Sequence, residues 1–79
     1  MRFHWHHENV AHVARHGLTT AEAEAIFQAE DFEYDHATPR GRYLGGGTVG
    51  GKLYRVVFTL PGDDEVLVIT AHRTRRKKS

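Results

Sequence analysis

The first apolar pattern in the chain is that of a short amphipathic helix. Val10, Val13 and Ala14 are spaced three and four residues apart, so they would share one face of a helix over residues 7–16. Gly17 follows, and glycine adopts the left-handed conformation at a helix end without the steric cost of a Cβ atom. The pattern therefore predicts a first helix that ends at Gly17.

A second helix is predicted immediately afterwards. Thr19 and Glu22 have the spacing of a capping box, in which each side chain accepts a hydrogen bond from the backbone amide of the other residue. Ala23, Ile26 and Phe27 then provide a face for burial, and the pattern fades near residue 29. The pattern therefore predicts a second helix that begins at Thr19.

The rest of the chain has the alternation and the turn residues of β-strands. The Gly50-Gly51 pair is a two-residue hairpin signal, and residues 61–64 predict a second turn. The three consecutive glycines at 45–47 predict a bend or a bulge. The predicted strands cover residues 31–36, 42–48, 52–60 and 65–72. The fold class is therefore expected to be α+β, with two N-terminal helices followed by a four-stranded antiparallel sheet.

Alternation along a strand assigns side chains to opposite faces of this sheet. The more apolar face, which is expected beneath the helices, carries Tyr54, Val56, Phe58 and Leu60. In the last strand, the set of Val66, Val68, Thr70 and His72 alternates with the set of Leu67, Ile69 and Ala71. If Arg42 also projects from the open side, that face is expected to carry Arg42, Arg55, Thr59, Thr70 and His72.

The length of 79 residues predicts one domain, residues 1–79, with one modest core and no large enclosed cavity. The chain has no cysteine, which excludes disulfides and thiolate metal sites and fits a reducing compartment. No run of about 18 apolar residues is present to span a bilayer, and the first residues are too polar for a signal peptide. We therefore expect a cytoplasmic protein.

The formal net charge of +1 conceals a segregation of charge along the chain. Residues 1–39 contain two arginines against seven acids, a net charge of −5, whereas residues 40–79 contain nine basic residues against three acids, a net charge of +6. Five of these basic residues lie within residues 73–79. A basic patch attracts polyanions such as RNA, although a terminal basic run can also be a solvated tail that aids solubility.

Arginine and histidine on one sheet face suit the chemistry of RNA cleavage. Attack by a 2′-hydroxyl needs a group that moves protons and cations that stabilise the charge on phosphorus, and histidine with arginine supplies both at neutral pH. The planar fork of arginine also holds a phosphate with two hydrogen bonds. The same residue types are common on surfaces that have no catalytic role, so this alternative stays open.

Several segments resemble, in order along the chain, the BrnT family of type II toxin–antitoxin toxins. The matching segments are Phe3-x-Trp5, Asn9, His16-Gly17, the Thr19–Phe27 run Thr-x-Ala-Glu-Ala-x-x-Ile-Phe, Arg42-Tyr43, the Gly51–Thr59 strand and Val68-Ile-Thr-Ala71. The resemblance covers nearly the whole chain. It implies a RelE-like ribonuclease fold and an endoribonuclease, a hydrolase that acts on RNA until a DNA-binding antitoxin of the ribbon-helix-helix type neutralises it. A toxin homodimer within the toxin–antitoxin complex is one arrangement that it allows.

Three differences from the BrnT pattern affect the expected chemistry. His72 stands where the family usually has arginine, while Arg73 keeps a cation at the position of a lysine. Phe58 stands where the family often has histidine, and the basic run at residues 73–79 takes the place of a charged helix. The alternative is therefore a module of the same fold that binds RNA or a partner protein and has lost catalysis.

The sequence thus predicts a metal-independent site without a cofactor. The expected catalytic residues are His72, Arg42, Arg73 and Arg55, and the expected RNA-binding residues are Arg75, Arg76, Lys77, Lys78 and Lys52. A third hypothesis is a metal site at His12 and His16, which lie four residues apart on one helical face. His16 can also favour the helix dipole from the C-terminal end of its helix.

Overall fold

The fold is α+β in a computed structural model that describes residues 1–35 and 40–74. Two helices and five strands occur in these ranges. In chain order they are β1 (Arg2–His4), α1 (His7–Arg15), α2 (Thr20–Phe27), β2 (Glu33–Tyr34), β3 (Tyr43–Val49), β4 (Lys52–Thr59) and β5 (Glu65–Arg73). The predicted α+β class is therefore confirmed, and both helices lie close to their predicted bounds.

The strands form one mixed sheet in the order β1-β5-β4-β3-β2. The three pairs β2–β3, β3–β4 and β4–β5 are antiparallel. The pair β1–β5 is parallel, with Phe3 opposite Val66. The prediction of four antiparallel strands was wrong on both counts. The strand that it missed has only three residues, too few for alternation to identify a strand. Its pairing partner, residues 65–67, lies at the far end of the chain.

The local signals for helix and hairpin ends are confirmed. The Thr19 hydroxyl accepts from the Glu22 amide at 3.1 Å, and the Thr19 amide donates to the Glu22 carboxylate at 2.9 Å. Gly17 has φ +78°, and the Gly50 and Gly51 pair of the β3–β4 hairpin has φ +59° and +79°. These backbone conformations strain any residue with a Cβ atom, which explains why glycine occupies the three positions.

The core lies between α2 and the sheet, with α1 packed along β5. Its buried apolar side chains are Val13, Leu18, Ala23, Ile26, Phe27, Val56, Phe58, Val66, Val68 and Ala71. Phe3 and Trp5 pack partly buried against them. Leu60, which alternation assigned to the core face, is 42% exposed because β4 ends at Thr59.

The buried face of α1 differs from the predicted apolar stripe. Val10 is 39% exposed, whereas Asn9 is only 2% exposed. The Nδ2 of Asn9 donates to the carbonyl oxygens of His4 and Val68 at 2.8 and 2.9 Å, and its Oδ1 accepts from the His6 amide at 2.7 Å. Asn9 therefore joins the first strand, the helix start and β5 through backbone groups, a role that an apolar residue cannot fill.

The run of glycines in β3 is part of a regular strand, so the predicted bend or bulge was wrong. Gly45, Gly46 and Gly47 pair with β4 without a register shift. A Cβ atom at Gly47 would lie 2.9 Å from both the Ala29 Cβ and the Ile26 carbonyl oxygen. Gly45 and Gly47 allow the end of α2 and the following loop to approach the strand closely.

Gly47→Ala is expected to destabilise the fold by about 2 kcal/mol, since backbone and a neighbouring Cβ atom would have to move. Urea unfolding followed by the fluorescence of Trp5, the one tryptophan, measures the change. Gly62→Ala is the matched control, because its Cβ would meet only the Glu65 side chain, at 3.2 Å; a change within about 0.5 kcal/mol is expected there. Equal losses in the two variants would contradict the close approach at Gly47.

Charged side chains hold β1 against β5. The Arg2 guanidinium donates to one Glu65 carboxylate oxygen at 2.7 Å, and His4 Nε2 lies 3.1 Å from the other. The hydrogen bond with His4, followed by that from Arg2, lowers the pKa of Glu65. Because the folded-state pKa is depressed, this carboxylate stabilises the fold fully above about pH 5 and progressively less as the pH falls through the lowered value.

Glu65→Gln is therefore expected to lower the urea midpoint at pH 6.5 and to have a smaller effect at pH 3. As the pH falls through the lowered pKa of Glu65, the wild-type protein also loses this charge, so the difference between the two proteins shrinks. Paired urea titrations at the two pH values measure the difference. An equal deficit at pH 3 would show that the substitution acts through packing and not through the charge of Glu65.

Candidate nucleic-acid interface

A β-bulge determines which side chains of β5 reach the open face of the sheet. Phe58 is opposite Val68 and Val57 is opposite Thr70, so Ile69 is the additional residue. Simple alternation would put His72 on the same face as the buried Val68. The bulge reverses this assignment beyond Ile69 and turns Thr70 and His72 towards the open face.

Arg55 and His72 are direct cross-strand partners on this open face. Side chains in such a pair start about 5 Å apart at their Cβ atoms, so one phosphate can contact both. Arg55 is exposed, and it forms no ion pair with any residue in 1–35 or 40–74. Its guanidinium is therefore available to an anion.

His16, which directly follows α1, lies beside His72 of β5. The two imidazole centroids are 5.5 Å apart, and the ring planes are inclined at 46°. The backbone amide of His16 donates to the Val13 carbonyl oxygen at 3.1 Å, so the helix end positions the residue. Sequence reasoning missed this neighbour, because His16 was expected to act only as a cap or as a metal ligand and no local pattern predicts its contact with β5.

The glycines of β3 leave a shallow groove beside Arg55. Its volume is about 260 Å³, Gly46 lies on its floor, and Glu33 and Arg55 lie on opposite sides. Asp31 also lines the groove, and its Oδ1 accepts a hydrogen bond from the Thr48 amide at 2.8 Å. Hydrogen bonds from the side chain and amide of Thr48 also lower the pKa of Asp31. Arg55 therefore borders a groove in which Gly46 presents no side chain, and the other lining residues include Tyr34, Leu44, Leu53 and Tyr54.

The other predicted catalytic residues lie elsewhere. Arg42 precedes Tyr43, so its place on the open face is beside Thr59, four residues along β4 from Arg55. That separation is about 13 Å at 3.3 Å per residue. Arg73 is opposite Tyr54 and belongs to the helix-facing side. The structure thus brings Arg55 and His72 together but places Arg42 and Arg73 apart from them.

The predicted RNA-binding residues divide into two groups. Lys52 is exposed at the β3–β4 hairpin, where it pairs with Val49, and alternation places it on the same side as Arg73. Arg75, Arg76, Lys77 and Lys78 lie outside the described residues. A basic end of the sheet is therefore formed by Lys52 and Arg73, on the face opposite the imidazole pair.

The third hypothesis, a metal site at His12 and His16, can also be compared with the structure. In the described part of the chain, no group of three or more metal-binding side chains comes together, at His12 or elsewhere. The indole of Trp5 donates to the Glu24 carboxylate at 2.7 Å and packs on the core. None of the helices in residues 1–35 and 40–74 is long and apolar enough to cross a membrane.

The comparison of the chain with known proteins gives no relative from which to transfer a role. No family model, curated protein or solved structure matches it. Function is therefore inferred from the geometry of the open face and from the sequence resemblance to the BrnT family.

Proposed function

We propose that this protein cleaves RNA at the row formed by His16, His72 and Arg55. The observation that carries the proposal is the 5.5 Å separation of the two imidazole rings, with an exposed arginine directly across the strand from one of them. Two imidazoles at this spacing can act on opposite sides of one phosphodiester, and the guanidinium can hold its oxygens.

The proposed reaction is the attack of a ribose 2′-oxygen on the adjacent phosphorus. One imidazole accepts the proton of the 2′-hydroxyl, and the other, in its protonated form, donates a proton to the departing 5′-oxygen. The new bond joins the 2′-oxygen to phosphorus as the bond to the 5′-oxygen breaks. The products are a 2′,3′-cyclic phosphate and a 5′-hydroxyl. Arg55 stabilises the negative charge that develops on the phosphorane.

The biological role that we propose is that of a BrnT-like toxin with a RelE-like fold. Its α+β class, its two helices before the main sheet and its largely antiparallel strands support this role. A DNA-binding antitoxin of the ribbon-helix-helix type would then be its partner in the cytoplasm. Expression of the wild-type protein in bacteria is expected to arrest growth, whereas His72→Ala at the same protein level is not. Growth arrest by both proteins would argue against toxicity through this site.

Cleavage is tested with purified protein and a 5′-labelled oligoribonucleotide in the presence of EDTA. Strand scission is expected, and it should stop at any position where a single 2′-deoxy nucleotide replaces the ribonucleotide. Deoxyribonucleotides of the same sequence serve as the control substrate. Salt-sensitive binding without scission would instead identify the protein as a non-enzymatic RNA-binding module.

A further inference from the structure

A second groove lies on the open face, between α1 and β5. It has a volume of about 430 Å³, within the range of roughly 300–1,000 Å³ that is typical of small-ligand sites. Leu67 and Ile69 of β5 provide apolar side chains, and Arg40 and Arg42 provide cations. The groove is separate from the shallow one beside Arg55.

The helix side of this groove adds groups of a different kind. Glu8 and His12 of α1 line it, and both side chains are exposed. A carboxylate accepts hydrogen bonds from the exocyclic amino group of a base, and an imidazole ring stacks on a base. An apolar surface, arginines, a carboxylate and an imidazole together match a planar heterocycle that carries a phosphate.

We propose that this groove binds one nucleotide of the RNA substrate, away from the bond that is cleaved. The inference rests on the proposed function, because it identifies where a second part of the same RNA strand is held. The base lies against Leu67 and Ile69, and its phosphate contacts Arg42.

The register of the sheet gives the distance between the two sites. Arg42 aligns with Thr59, and Thr59 lies four residues along β4 from Arg55, about 13 Å. Between them, the open face presents Val57 and Thr70, which are small enough for a strand of RNA to pass. The cleaved phosphate and the bound nucleotide are therefore connected by a short single strand that lies on β4 and β5.

The proposed groove requires that long substrates bind more tightly than short ones. A dinucleotide can occupy the row of Arg55 and His72 alone, whereas a decaribonucleotide also reaches Arg42. Removing the guanidinium at Arg42 should therefore weaken binding of the decamer about tenfold, the usual effect of losing one charge-assisted hydrogen bond. Turnover of the dinucleotide should not change.

The experiment uses a fluorescein-labelled decaribonucleotide of mixed sequence and the dinucleotide UpA. Anisotropy gives the Kd of the decamer for His72→Ala protein, in which cleavage is removed, with and without Arg42→Gln. Turnover of UpA is compared between wild-type protein and Arg42→Gln. Arg2→Gln is the matched control, since it removes one positive charge from the same face, outside the groove. The Ile69→Glu variant tests the apolar side of the groove independently.

The expected result is a Kd about tenfold higher for Arg42→Gln and for Ile69→Glu, with no change for Arg2→Gln. An equal effect of Arg2→Gln and Arg42→Gln, or no effect of either, would overturn the groove assignment. Persistent cleavage of RNA by the His72→Ala protein would contradict the proposed catalytic site. The effect of Arg42→Gln on the Kd of the decamer would still test the groove. The two failures are therefore distinguishable.

Discussion

His72→Ala is expected to slow RNA cleavage by at least about 100-fold, the usual contribution of one positioned proton-transfer group. His72 faces Arg55 across the sheet and lies beside His16, so its loss leaves one imidazole to serve both oxygens of the phosphodiester. Single-turnover cleavage of a 5′-labelled oligoribonucleotide, with protein in excess, measures the rate without interference from product release.

The controls for this prediction separate chemistry from folding. His7→Ala removes an exposed imidazole at the start of α1, outside the row, and should retain the wild-type rate. His16→Ala should be as slow as His72→Ala, and the double variant little slower than either, because the two groups act in one step. A His72→Ala protein that unfolds at the wild-type urea midpoint and still cleaves at a near wild-type rate would contradict the assignment.

Asn9→Ala is expected to lower the free energy of unfolding by about 3 kcal/mol. The substitution leaves the His6 amide and the carbonyl oxygens of His4 and Val68 without the partner that they have in the structure. A buried polar group that loses its hydrogen bond costs about 1–3 kcal/mol. Urea unfolding followed by the fluorescence of Trp5 measures the loss.

Val10→Ala is the matched control for Asn9→Ala. Val10 is the next residue of the same helix and is 39% exposed, so a change within about 0.5 kcal/mol is expected. A loss below about 1 kcal/mol in Asn9→Ala would mean that water replaces the side chain in contact with the three backbone groups. In that case, Asn9 would not be the residue that joins α1 to the sheet.

The elements with local signals could be predicted from the sequence. The Thr19 and Glu22 capping box, Gly17 after α1 and the glycine pair of the β3–β4 hairpin each specify a backbone conformation through neighbouring residues. Alternation also identified Val56 and Phe58 as core residues. In these cases the residues that determine the backbone conformation are close to one another in the sequence.

The remaining features depend on contacts between distant parts of the chain. Strand β1 forms only because Phe3 lies beside Val66, and Gly47 is needed where the end of α2 approaches β3 closely. Neither partner is near in sequence. The buried role of Asn9 was not predicted either, since a polar residue beside an apolar stripe is normally assigned to solvent.

The candidate site was predictable only in part. Arg55 and His72 were both assigned to the open face, but this assignment of His72 is correct only because of the bulge at Ile69. The position of His16 follows from the packing of α1 along β5, which no sequence pattern shows. Arg42 was grouped with Arg55 and His72 as a residue of the same face, and Arg73 was added through the family resemblance. Strand register places Arg42 about 13 Å along the sheet from Arg55 and puts Arg73 on the helix-facing side.

The chemical identity of the product ends tests the central claim most directly. RNA cut by the wild-type protein in EDTA should end in a 2′,3′-cyclic phosphate on one fragment and a 5′-hydroxyl on the other, as detected by mass spectrometry. These ends form only when the 2′-oxygen attacks, which is the reaction proposed for His16, His72 and Arg55. Fragments with 5′-phosphates, or intact RNA, would contradict this account.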